Sequence, residues 1–451
     1  MSHDNSIYLE RLKTLGFQEL IGKQTEQEEE QISSGASKLY QSEEKAALKA
    51  YSSSSITGIT SIQQLIPHVE KHIEDLVEYR IKRGKNGVAF KDYYQYLKGL
   101  EPLAASAITC KIIFDKVFSI KDDEDNLLVN VYNSVGTALM QECQLRYYKE
   151  RAPGLLHVLK KNYWHKACGT QQKLTDVQIM MNRADIKWTN WPSTIRIKLG
   201  NFMVDCVLSA CNWFEPLAIR QGNKTPLYLV PTATFADNMD KILARAKFFS
   251  AEQWPMLVPP RDWSQSSVGG YILDEIMRGH DLVRRGDPDL IQGEKPIAFL
   301  NKLQQVPYRV SNYVYMVAEE LYALGRKVGK KPKFIPETAT EELPTKPPDI
   351  ATNKAARKEY CRAAAEVHNR NNALIKKSCR TRMTMRAAKK FKDKERWFIP
   401  WSFDYRGRVY PIPAYLTPQD TDFGKSLIRF ADESDVTVES EKWLAFQVAT
   451  T

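Results

Sequence analysis

The chain has 451 residues, of which 43% are hydrophobic and 26% are charged, so it can bury substantial cores with an ordinary charge content. Its N-terminus is polar, which argues against a secretory signal. The most apolar window, residues 204–219, is interrupted by charged residues and a proline and is shorter than the ~20 residues of a membrane span. Seven scattered cysteines, an odd number, indicate a reducing cytoplasm rather than a disulfide framework.

The first part of the chain is predicted to be helical. Apolar residues at helical spacing from Ile62 to Val77 predict an amphipathic helix behind a linker at Ser52–Ser55. This helix runs into a glycine-punctuated turn that carries the cations Arg80, Lys82, Arg83 and Lys85. From the residues alone, an ordinary solvated helix–helix turn is favoured over a loop that reaches into a nucleic-acid groove. Further helices are predicted from periodicity and composition over 89–99, 102–119, 127–150, 155–167, 174–184 and 193–213.

A different pattern follows these helices. Apolar residues 217–219 and 227–230 flank the polar, glycine-containing stretch Gln221–Pro226, which predicts a β-hairpin over 214–231. A helix over 232–250 and an irregular, proline-rich region come next.

Helical periodicity resumes over 297–327 and ends at a proline-rich linker over 329–352. A long helix is then predicted over 353–391. The remaining predicted elements are two short strands around a tight turn, over 397–404 and 408–413, and a last helix over 439–451.

The formal net charge of +11 is concentrated in the long helix and the residues just after it. Residues 353–396 contain 15 basic and 4 acidic residues, and the rest of the chain is neutral with 50 of each sign. Like charges four residues apart destabilise a helix, so this pattern favours contact with nucleic-acid phosphates over a solvated helix face. The cations expected to make this contact are Lys376, Arg380, Arg382, Arg386 and Lys389.

The basic helix leads into the heptapeptide Asp404-Tyr-Arg-Gly-Arg-Val-Tyr410. Arg406, Arg408 and Tyr410 alternate with period two and are expected to share one face. Asp404 is expected to hold one guanidinium in a bidentate pair and to leave the other for a phosphate. Gly407 allows the turn to close and a polymer backbone to approach. The alternative is a buried, purely structural Asp–Arg pair.

Taken in order, these motifs resemble the single-subunit DNA-dependent RNA polymerases of bacteriophages and mitochondria. The strongest match, residues 397–410, is similar to the strand-turn-strand that leads into the palm of that family. Residues 82–90 resemble the AT-rich recognition loop of the phage branch. Further blocks in the family's order are residues 255–271, 300–310 and 343–367.

The resemblance implies a mainly α fold with small β elements. It implies a promoter-binding domain at 1–320, a linker and thumb at 321–396 and the start of a right-hand polymerase palm at 397–451. The loop 80–88, with Arg80, Lys82, Arg83 and Lys85, would enter an AT-rich minor groove, and the hairpin 214–231 would wedge the duplex open. The thumb cations would grip the RNA–DNA hybrid, which would also be lined by Asp404, Arg406, Gly407, Arg408, Tyr410 and Lys425.

The resemblance also implies that the metal-binding aspartates of the family lie beyond the position where this chain stops. Mg²⁺ would then be held by residues outside this chain, which alone is expected to be inactive. We expect a DNA-directed RNA polymerase in the cytoplasm of an infected bacterium. It would use double-stranded promoter DNA and nucleoside triphosphates, would have no membrane partner, and would need a C-terminal half from the same polypeptide or a second chain. The alternatives are a stand-alone, non-catalytic nucleic-acid-binding protein and, less favoured, a helical scaffold for protein partners.

Overall fold

The structure is a computed structural model that describes residues 5–83, 90–91, 93–122, 124–164, 170–265, 267–284, 292–329, 334–337 and 340–450. It is mainly helical with a few small sheets, which confirms the predicted fold class. The chain divides into two compact units: unit 1 comprises Met1–Gly35 and Phe248–Thr451, and unit 2 comprises Ala36–Lys247. The domain boundaries predicted near residues 320 and 396 lie within unit 1 and stay predictions.

The first two helices are α1 (Ser6–Thr14) and α2 (Gln18–Leu48). A short 3₁₀ turn over Ser52–Ser54 follows, and α3 (Ile56–Lys82) begins after Ser55. The Ser55 Oγ accepts the Gly58 N–H at 3.0 Å and so caps one of the free donors at the start of α3. The helix predicted from the apolar residues Ile62–Val77 is therefore confirmed and is longer than predicted.

Unit 2 is a helical bundle with one hairpin. Beyond α3 its helices are α4 (Pro102–Val117), α5 (Leu128–Arg151), α6 (Pro153–Tyr163), α7 (Thr170–Arg183), α8 (Ser193–Ala210) and α9 (Ala233–Phe248), whose last residue belongs to unit 1. The helix predicted over 89–99 is confirmed at the described residues 90–91 and 93–94, and Gln95–Leu97 form a 3₁₀ turn instead. All other helices predicted between residues 102 and 213 are confirmed, with ends shifted by a few residues.

Two glycines allow α5 and α8 to pack closely. A Cβ on Gly136 of α5 would lie 2.0 Å from the Arg196 carbonyl oxygen of α8. A Cβ on Gly200 of α8 would lie 1.9 Å from the Tyr132 carbonyl oxygen of α5. Both distances are far below van der Waals contact, so this helix pair requires glycine at both positions.

The predicted hairpin is confirmed as strands β1 (Phe214–Ala218) and β2 (Leu227–Pro231). The strands are antiparallel, with Phe214 opposite Pro231 and Ala218 opposite Leu227. Its inner residues Phe214 and Leu229 join the core of unit 2. Leu217, Ile219 and Leu227 are exposed, so the outer part of the hairpin has an apolar surface.

The second segment of unit 1 contains short strands between helices. Its helices are α10 (Asp274–Met277), α11 (Glu294–Gln304), α12 (Asn312–Ala323), α13 (Lys354–Phe391), α14 (Asp422–Ser426) and α15 (Val438–Thr450). Its strands are β3 (Val283–Arg284), β4 (Tyr308–Val310), β5 (Trp401–Asp404), β6 (Val409–Pro411) and β7 (Ile428–Phe430).

The strands of unit 1 form two small sheets. In one sheet, β5 lies between β3, which is parallel to it, and β6, which is antiparallel to it. In the other, β4 pairs antiparallel with β7, with Tyr308 opposite Phe430. The helical periodicity predicted over 297–327 is confirmed as α11 and α12. Between them, pairing with β7 draws residues 308–310 into an extended conformation.

The core of unit 1 is built around aromatic residues. Trp397, Phe391 and Tyr271 are completely buried. The Trp263 indole N–H donates to the Trp401 carbonyl oxygen at 2.9 Å, so a buried polar group of this core is satisfied. Within the described residues, no helix combines the length and apolar character that crossing a bilayer requires.

Buried polar side chains of α2 replace missing backbone hydrogen bonds in an irregular part of unit 1. The Gln27 amide donates to the Pro255 carbonyl oxygen at 2.9 Å, and the Gln24 carbonyl oxygen accepts the Leu257 N–H at 2.6 Å. Glu28 accepts the N–H groups of Ile272 at 3.0 Å and Leu273 at 2.7 Å. These contacts explain how segments without regular structure stay ordered inside a core.

The charge of Glu28 makes this arrangement sensitive to pH. Burial raises the pKa of Glu28 to about 7, although hydrogen bonds from Leu273, Gln24 and Ile272 and the charge of Arg261 act in the opposite direction. Between its ordinary value of 4.5 and this value, the folded protein binds more protons than the unfolded chain. The contribution of Glu28 to stability therefore falls as the pH rises through this range.

We expect Glu28→Gln to make the thermal unfolding midpoint less dependent on pH between about 5 and 8, because the group that titrates on folding is removed. The measurement is the unfolding midpoint of both proteins across this range. The control is Glu29→Gln, which removes the same charge at an exposed position of α2. Parallel pH profiles for Glu28→Gln and the unmodified chain would contradict the assignment.

Candidate nucleic-acid interface

The helix predicted over 353–391 is confirmed as α13, which is 38 residues long. The Asn353 Oδ1 accepts the N–H groups of Ala355 at 3.0 Å and Ala356 at 3.2 Å and so caps its N-terminus. In its C-terminal half, Thr381, Thr384, Ala388 and other buried residues recur three or four positions apart. This stripe packs on unit 1, and the cations therefore lie on the remaining faces.

The predicted phosphate-binding cations of α13 fall into two groups. Lys376 and Lys389 are exposed and contact no carboxylate among the residues that the structure describes. Arg380 instead pairs with Asp420, and Arg382 forms an ion pair with Glu337. The Arg386 Nη1 lies 3.9 Å from the Glu252 Oε1.

The acidic partners of α13 come from distant parts of the sequence. In the sequence, the only acidic residues close to the C-terminal half of the helix are Asp393 and Glu395, just after its end. The structure adds Glu252 and Asp420, and also Glu30, which pairs with Lys390. The like charges of the helix are therefore partly neutralised within the protein, and they repel one another less than the sequence alone indicates.

Lys390 is anchored by an aromatic ring as well. Its Nζ lies 3.6 Å from the ring centroid of Trp254, a distance typical of a cation–π contact. Burial and the positive charges of Arg386 and Lys394 lower the pKa of Lys390, and the pair with Glu30 opposes them. Lys390 therefore serves the attachment of α13 to its own unit.

The strand-turn-strand predicted around residues 404–410 is confirmed as β5, a tight turn and β6. The Gly407 N–H donates to the Asp404 carbonyl oxygen at 3.0 Å, and the Asp404 N–H donates to the Arg408 carbonyl oxygen at 2.8 Å. Gly407 has φ of +77°, a left-handed conformation that favours glycine. This is the geometry of a three-residue hairpin loop that ends in a glycine bulge.

The Asp404 carboxylate has a different role from the one predicted. Its Oδ1 accepts the N–H groups of Arg406 and Arg408, both at 2.9 Å, instead of pairing with a guanidinium. Desolvation acts to raise the pKa of Asp404, but these hydrogen bonds and the charges of the two arginines lower it overall. The carboxylate thus shapes the turn and leaves both guanidinium groups outside it.

The predicted residues around this turn differ in exposure. Arg406 and Arg408 are exposed, and the Arg406 guanidinium lies 4.9 Å from the Tyr405 ring centroid. Arg406 lies in the turn, so strand alternation does not place it on one face with Tyr410. Tyr410 is partly buried, and Lys425 is exposed on α14.

Sequence reasoning missed Arg284, which fixes the sheet beneath this turn. Its Nε donates to the Ser402 Oγ at 2.6 Å, and its Nη2 donates to the Pro411 carbonyl oxygen at 2.5 Å. Its guanidinium lies 5.7 Å from the Tyr410 ring centroid. Arg284 therefore joins β3, β5 and β6, and only the strand pairing of the fold reveals this.

Hydrogen bonds connect the turn to the basic helix. The Gln419 amide donates to the Val409 carbonyl oxygen at 2.7 Å, which attaches the loop 412–421 to β6. Asp420 of the same loop accepts the Arg380 Nη2 at 2.6 Å, which attaches the loop to α13. Hydrogen bonds thus link the elements of unit 1 that carry the exposed cations, which are α13, the turn and α14. We call the exposed residues Lys376, Lys389, Arg406, Arg408 and Lys425 the basic array.

The second predicted cationic site lies at the end of α3 in unit 2. The Arg80 guanidinium lies 5.1 Å from the Phe202 ring centroid and 5.6 Å from that of Phe90, so Arg80 is partly buried against its own unit. Lys82 is exposed and pairs with Glu78. Arg83 is exposed, with its guanidinium 5.6 Å from the Tyr79 ring centroid. The fourth residue, Lys85, lies outside the described residues.

A Mg²⁺ site does not fit the described part of this chain. No three His, Cys, Asp or Glu side chains within it are grouped so that they could hold a metal ion. The Asp404 carboxylate, which is predicted to line the hybrid, accepts backbone N–H groups.

We expect Gly407→Ala to destabilise the fold by about 1 kcal/mol, because a side chain at this positive φ is strained although open space surrounds it. Gly407→Asn is the matched control, since asparagine tolerates this conformation better than alanine. The measurement is the free energy of unfolding from urea denaturation. Equal loss in the two variants would show that something other than backbone conformation requires glycine.

Comparison with known proteins finds DNA-directed RNA polymerases among the relatives of this chain. The family model described as DNA-directed RNA polymerase N-terminal matches residues 23–285. The DNA-directed RNA polymerase of Enterobacteria phage T3 is 26% identical over 400 residues, which are 84% of this chain and 43% of the relative. T7 RNA polymerase of Escherichia phage T7 is 27% identical over 413 residues, which are 85% of this chain and 44% of the relative.

An organellar relative is similar over a shorter region. The DNA-directed RNA polymerase 2, chloroplastic/mitochondrial, of Nicotiana sylvestris is 24% identical over 309 residues, which are 62% of this chain and 29% of the relative. The chain spans less than half the length of each of these relatives. Since the family model covers more than half of the chain, the chain belongs to the DNA-directed RNA polymerase N-terminal family.

Proposed function

We propose that this chain supplies the nucleic-acid-binding part of a phage-type DNA-directed RNA polymerase. In this proposal it binds and melts promoter DNA and holds the RNA–DNA hybrid during synthesis. The relatives named above are DNA-directed RNA polymerases, which supports the reaction class. The observation that carries the proposal is the basic array of unit 1.

The basic array has the properties of a phosphate-binding surface. Lys376 and Lys389 project from a long helix, Arg406 and Arg408 project from a tight turn, and all four are exposed. When exposed lysines and arginines bind phosphates, the nucleic acid releases its condensed counterions, which is a large source of affinity. Contacts with phosphates carry no sequence information, so such a surface suits a hybrid of any sequence.

Two features of unit 2 support promoter contact. Arg83 is exposed at the end of α3, at the position of the loop that resembles the AT-rich recognition loop. The outer part of the β1–β2 hairpin exposes Ile219 at 41% and Leu227 at 46%. Apolar side chains of this kind insert between base steps in proteins that unstack DNA. In this proposal Lys82 and Lys85 also contact the groove. Arg80, which packs on Phe90 and Phe202, supports the end of α3 that carries the contact.

Catalysis in this proposal needs more than the present chain. Mg²⁺ would supply charge stabilisation for transfer of a nucleotide from a nucleoside triphosphate, and its ligands would come from the C-terminal half of the enzyme. The length of the relatives supports this division, since this chain covers 44% of the T7 enzyme. We propose the cytoplasm of an infected bacterium as the place of action.

The overall proposal is tested by promoter-directed RNA synthesis. The chain is mixed with a polypeptide that corresponds to the C-terminal half of the relatives, and RNA is measured with and without each part. We expect synthesis only from the mixture. Nucleic-acid binding by the chain with no synthesis in any combination would favour the stand-alone binding protein instead.

We expect the double variant Lys376→Ala, Lys389→Ala to weaken binding of a fluorescein-labelled RNA–DNA hybrid and to reduce its salt dependence. The slope of log K against log salt concentration is negative, and each lost phosphate contact makes it less steep by about 0.9. The measurement is fluorescence anisotropy across a salt series. Lys13→Ala removes an exposed lysine of α1 that is paired with Glu10 and serves as the control. An unchanged slope in the double variant would show that these lysines are only solvated.

We expect the double variant Arg83→Ala, Lys85→Ala to weaken binding to duplex promoter DNA more than to the same promoter with a pre-melted bubble. The reason is that the intact duplex must be held at its upstream minor groove while it opens. The pre-melted promoter does not have to be opened and depends less on this contact. Affinities for the two templates are compared at one salt concentration. Equal losses on both templates would remove the proposed groove contact.

A further inference from the structure

We propose that Asp420 and Arg380 form a positioning pair that fixes helix α13 against the loop 412–421 and so sets the geometry of the basic array. In this inference Arg380 acts through the protein and not by binding phosphate. It rests on the proposed hybrid-binding function and deepens it, because it names residues that hold the binding surface in place. Neither residue contacts the nucleic acid in this arrangement.

Asp420 is a buried carboxylate with a full set of hydrogen-bond donors. Its side chain is 0% exposed. Its Oδ1 accepts the Arg380 Nε at 2.9 Å, the Arg380 Nη2 at 2.6 Å and the Thr421 N–H at 2.6 Å. Its Oδ2 accepts the Leu416 N–H at 3.2 Å and lies 3.4 Å from the Thr384 hydroxyl. A buried charge is tolerated only with such compensation, so the buried position of Asp420 depends on these donors.

The loop around Asp420 holds a strained residue. Leu416 has φ of +56°, a left-handed conformation that is rare for a leucine, and its side chain is completely buried. Strain of this kind persists only where the surroundings determine the conformation. The Asp420 carboxylate binds the N–H of this residue, so it helps to hold the loop in its strained form.

The structure also reserves space for the carboxylate. Gly424 lies in the first turns of α14, and a Cβ at this position would lie 2.4 Å from the Asp420 Cγ. Any other residue at position 424 would therefore displace Asp420. Lys425, the next residue, belongs to the basic array, so this packing fixes the start of α14 that carries it.

Arg380 uses its donors within the protein. Besides its two contacts with Asp420, its Nη2 donates to the Ala414 carbonyl oxygen at 3.0 Å. Its guanidinium lies 4.8 Å from the Tyr415 ring centroid, within the range of a cation–π contact. Arg380 thus binds the carboxylate, a carbonyl oxygen and a ring of the same loop.

The pair joins the three parts of the basic array. Lys376 lies one helical turn before Arg380, on the same side of α13. The loop 412–421 is attached to β6 through Gln419, and β6 follows the turn that carries Arg406 and Arg408. Breaking the pair would let the helix and the turn move relative to each other within unit 1.

Positioning and direct charge effects predict opposite results for Asp420→Asn. If only charge mattered, removing a negative group beside a phosphate-binding surface would tighten binding to a polyanion. If Asp420 positions the array, the loss of its acceptors weakens binding. The amide of asparagine cannot accept both the Leu416 N–H and the guanidinium contacts, because one of its two positions is a donor.

The experiment measures binding of a labelled RNA–DNA hybrid by Asp420→Asn, Arg380→Lys and Arg380→Ala across a salt series. We expect all three to weaken binding by roughly tenfold and to make its salt dependence less steep to a similar extent, because each displaces phosphate contacts of the array whether or not residue 380 keeps its charge. Lysine keeps the charge of Arg380 but not its forked geometry, so charge alone should not rescue binding. Asp422→Asn, which removes an exposed acid of α14, is the control for charge alone and should leave binding unchanged or slightly tighter.

A second measurement separates positioning from general loss of stability. We expect the combination of Asp420→Asn with Lys376→Ala to weaken binding less than the product of the two single effects, since Lys376 is already misplaced. Combination with Lys13→Ala should give the simple product. Thermal unfolding midpoints above the assay temperature show that each variant is folded.

The outcomes distinguish this inference from the proposed function. Equal or tighter binding by Asp420→Asn would overturn the positioning role and leave hybrid binding intact. The same holds if Arg380→Lys binds normally while Arg380→Ala shows a less steep salt dependence. Simple products in both combinations would assign Asp420 a structural role only. If the unmodified chain does not bind the hybrid at all, the proposed function fails, and this inference fails with it.

Discussion

The packing of α13 on its own unit is the constraint on which the candidate interface depends. A helix with 15 cations in and just beyond it must bury one stripe of small and apolar residues, and charges near that stripe lose part of their hydration. Those cations therefore need partners from the protein, and the fold brings carboxylates to them from distant segments. Asp420, Glu252 and Glu30 each meet one cation of the helix in this way. The cations that keep no such partner define the surface left for a ligand.

The same constraint links the helix to the small sheet. Because Asp420 lies in the loop between β6 and α14, neutralising Arg380 also attaches α13 to the strands. Arg284 in turn binds β5 and β6 from below, so the turn with its two exposed arginines rests on a hydrogen-bonded base. The ion pairs and hydrogen bonds that neutralise buried charges thus also fix the positions of the exposed cations.

The sequence predicts the elements of this fold well because helical periodicity and turn residues are local signals. The bounds of α13, the β1–β2 hairpin and the strand-turn-strand at Gly407 follow from patterns within short windows. The strand β4, which interrupts the helical periodicity of residues 297–327, is not a local signal, because its pairing partners β7 and Trp397 lie far away in the sequence. The pairing of Arg380 with Asp420 escapes prediction for the same reason, since charge counts along one helix contain no information about distant acids.

The environments of the α13 cations suggest why the chain uses both kinds of basic residue. Arginine presents several donors in a fixed fork and is weakly hydrated, which suits pairing with a buried carboxylate and a ring, as Arg380 does with Asp420 and Tyr415. Lysine is a compact, strongly hydrated charge without fixed geometry. A surface that holds a polymer while the polymer moves must attract phosphates without locking any one of them in place. The exposed Lys376 and Lys389 meet this requirement, whereas the arginines between them keep the helix that carries these lysines in position.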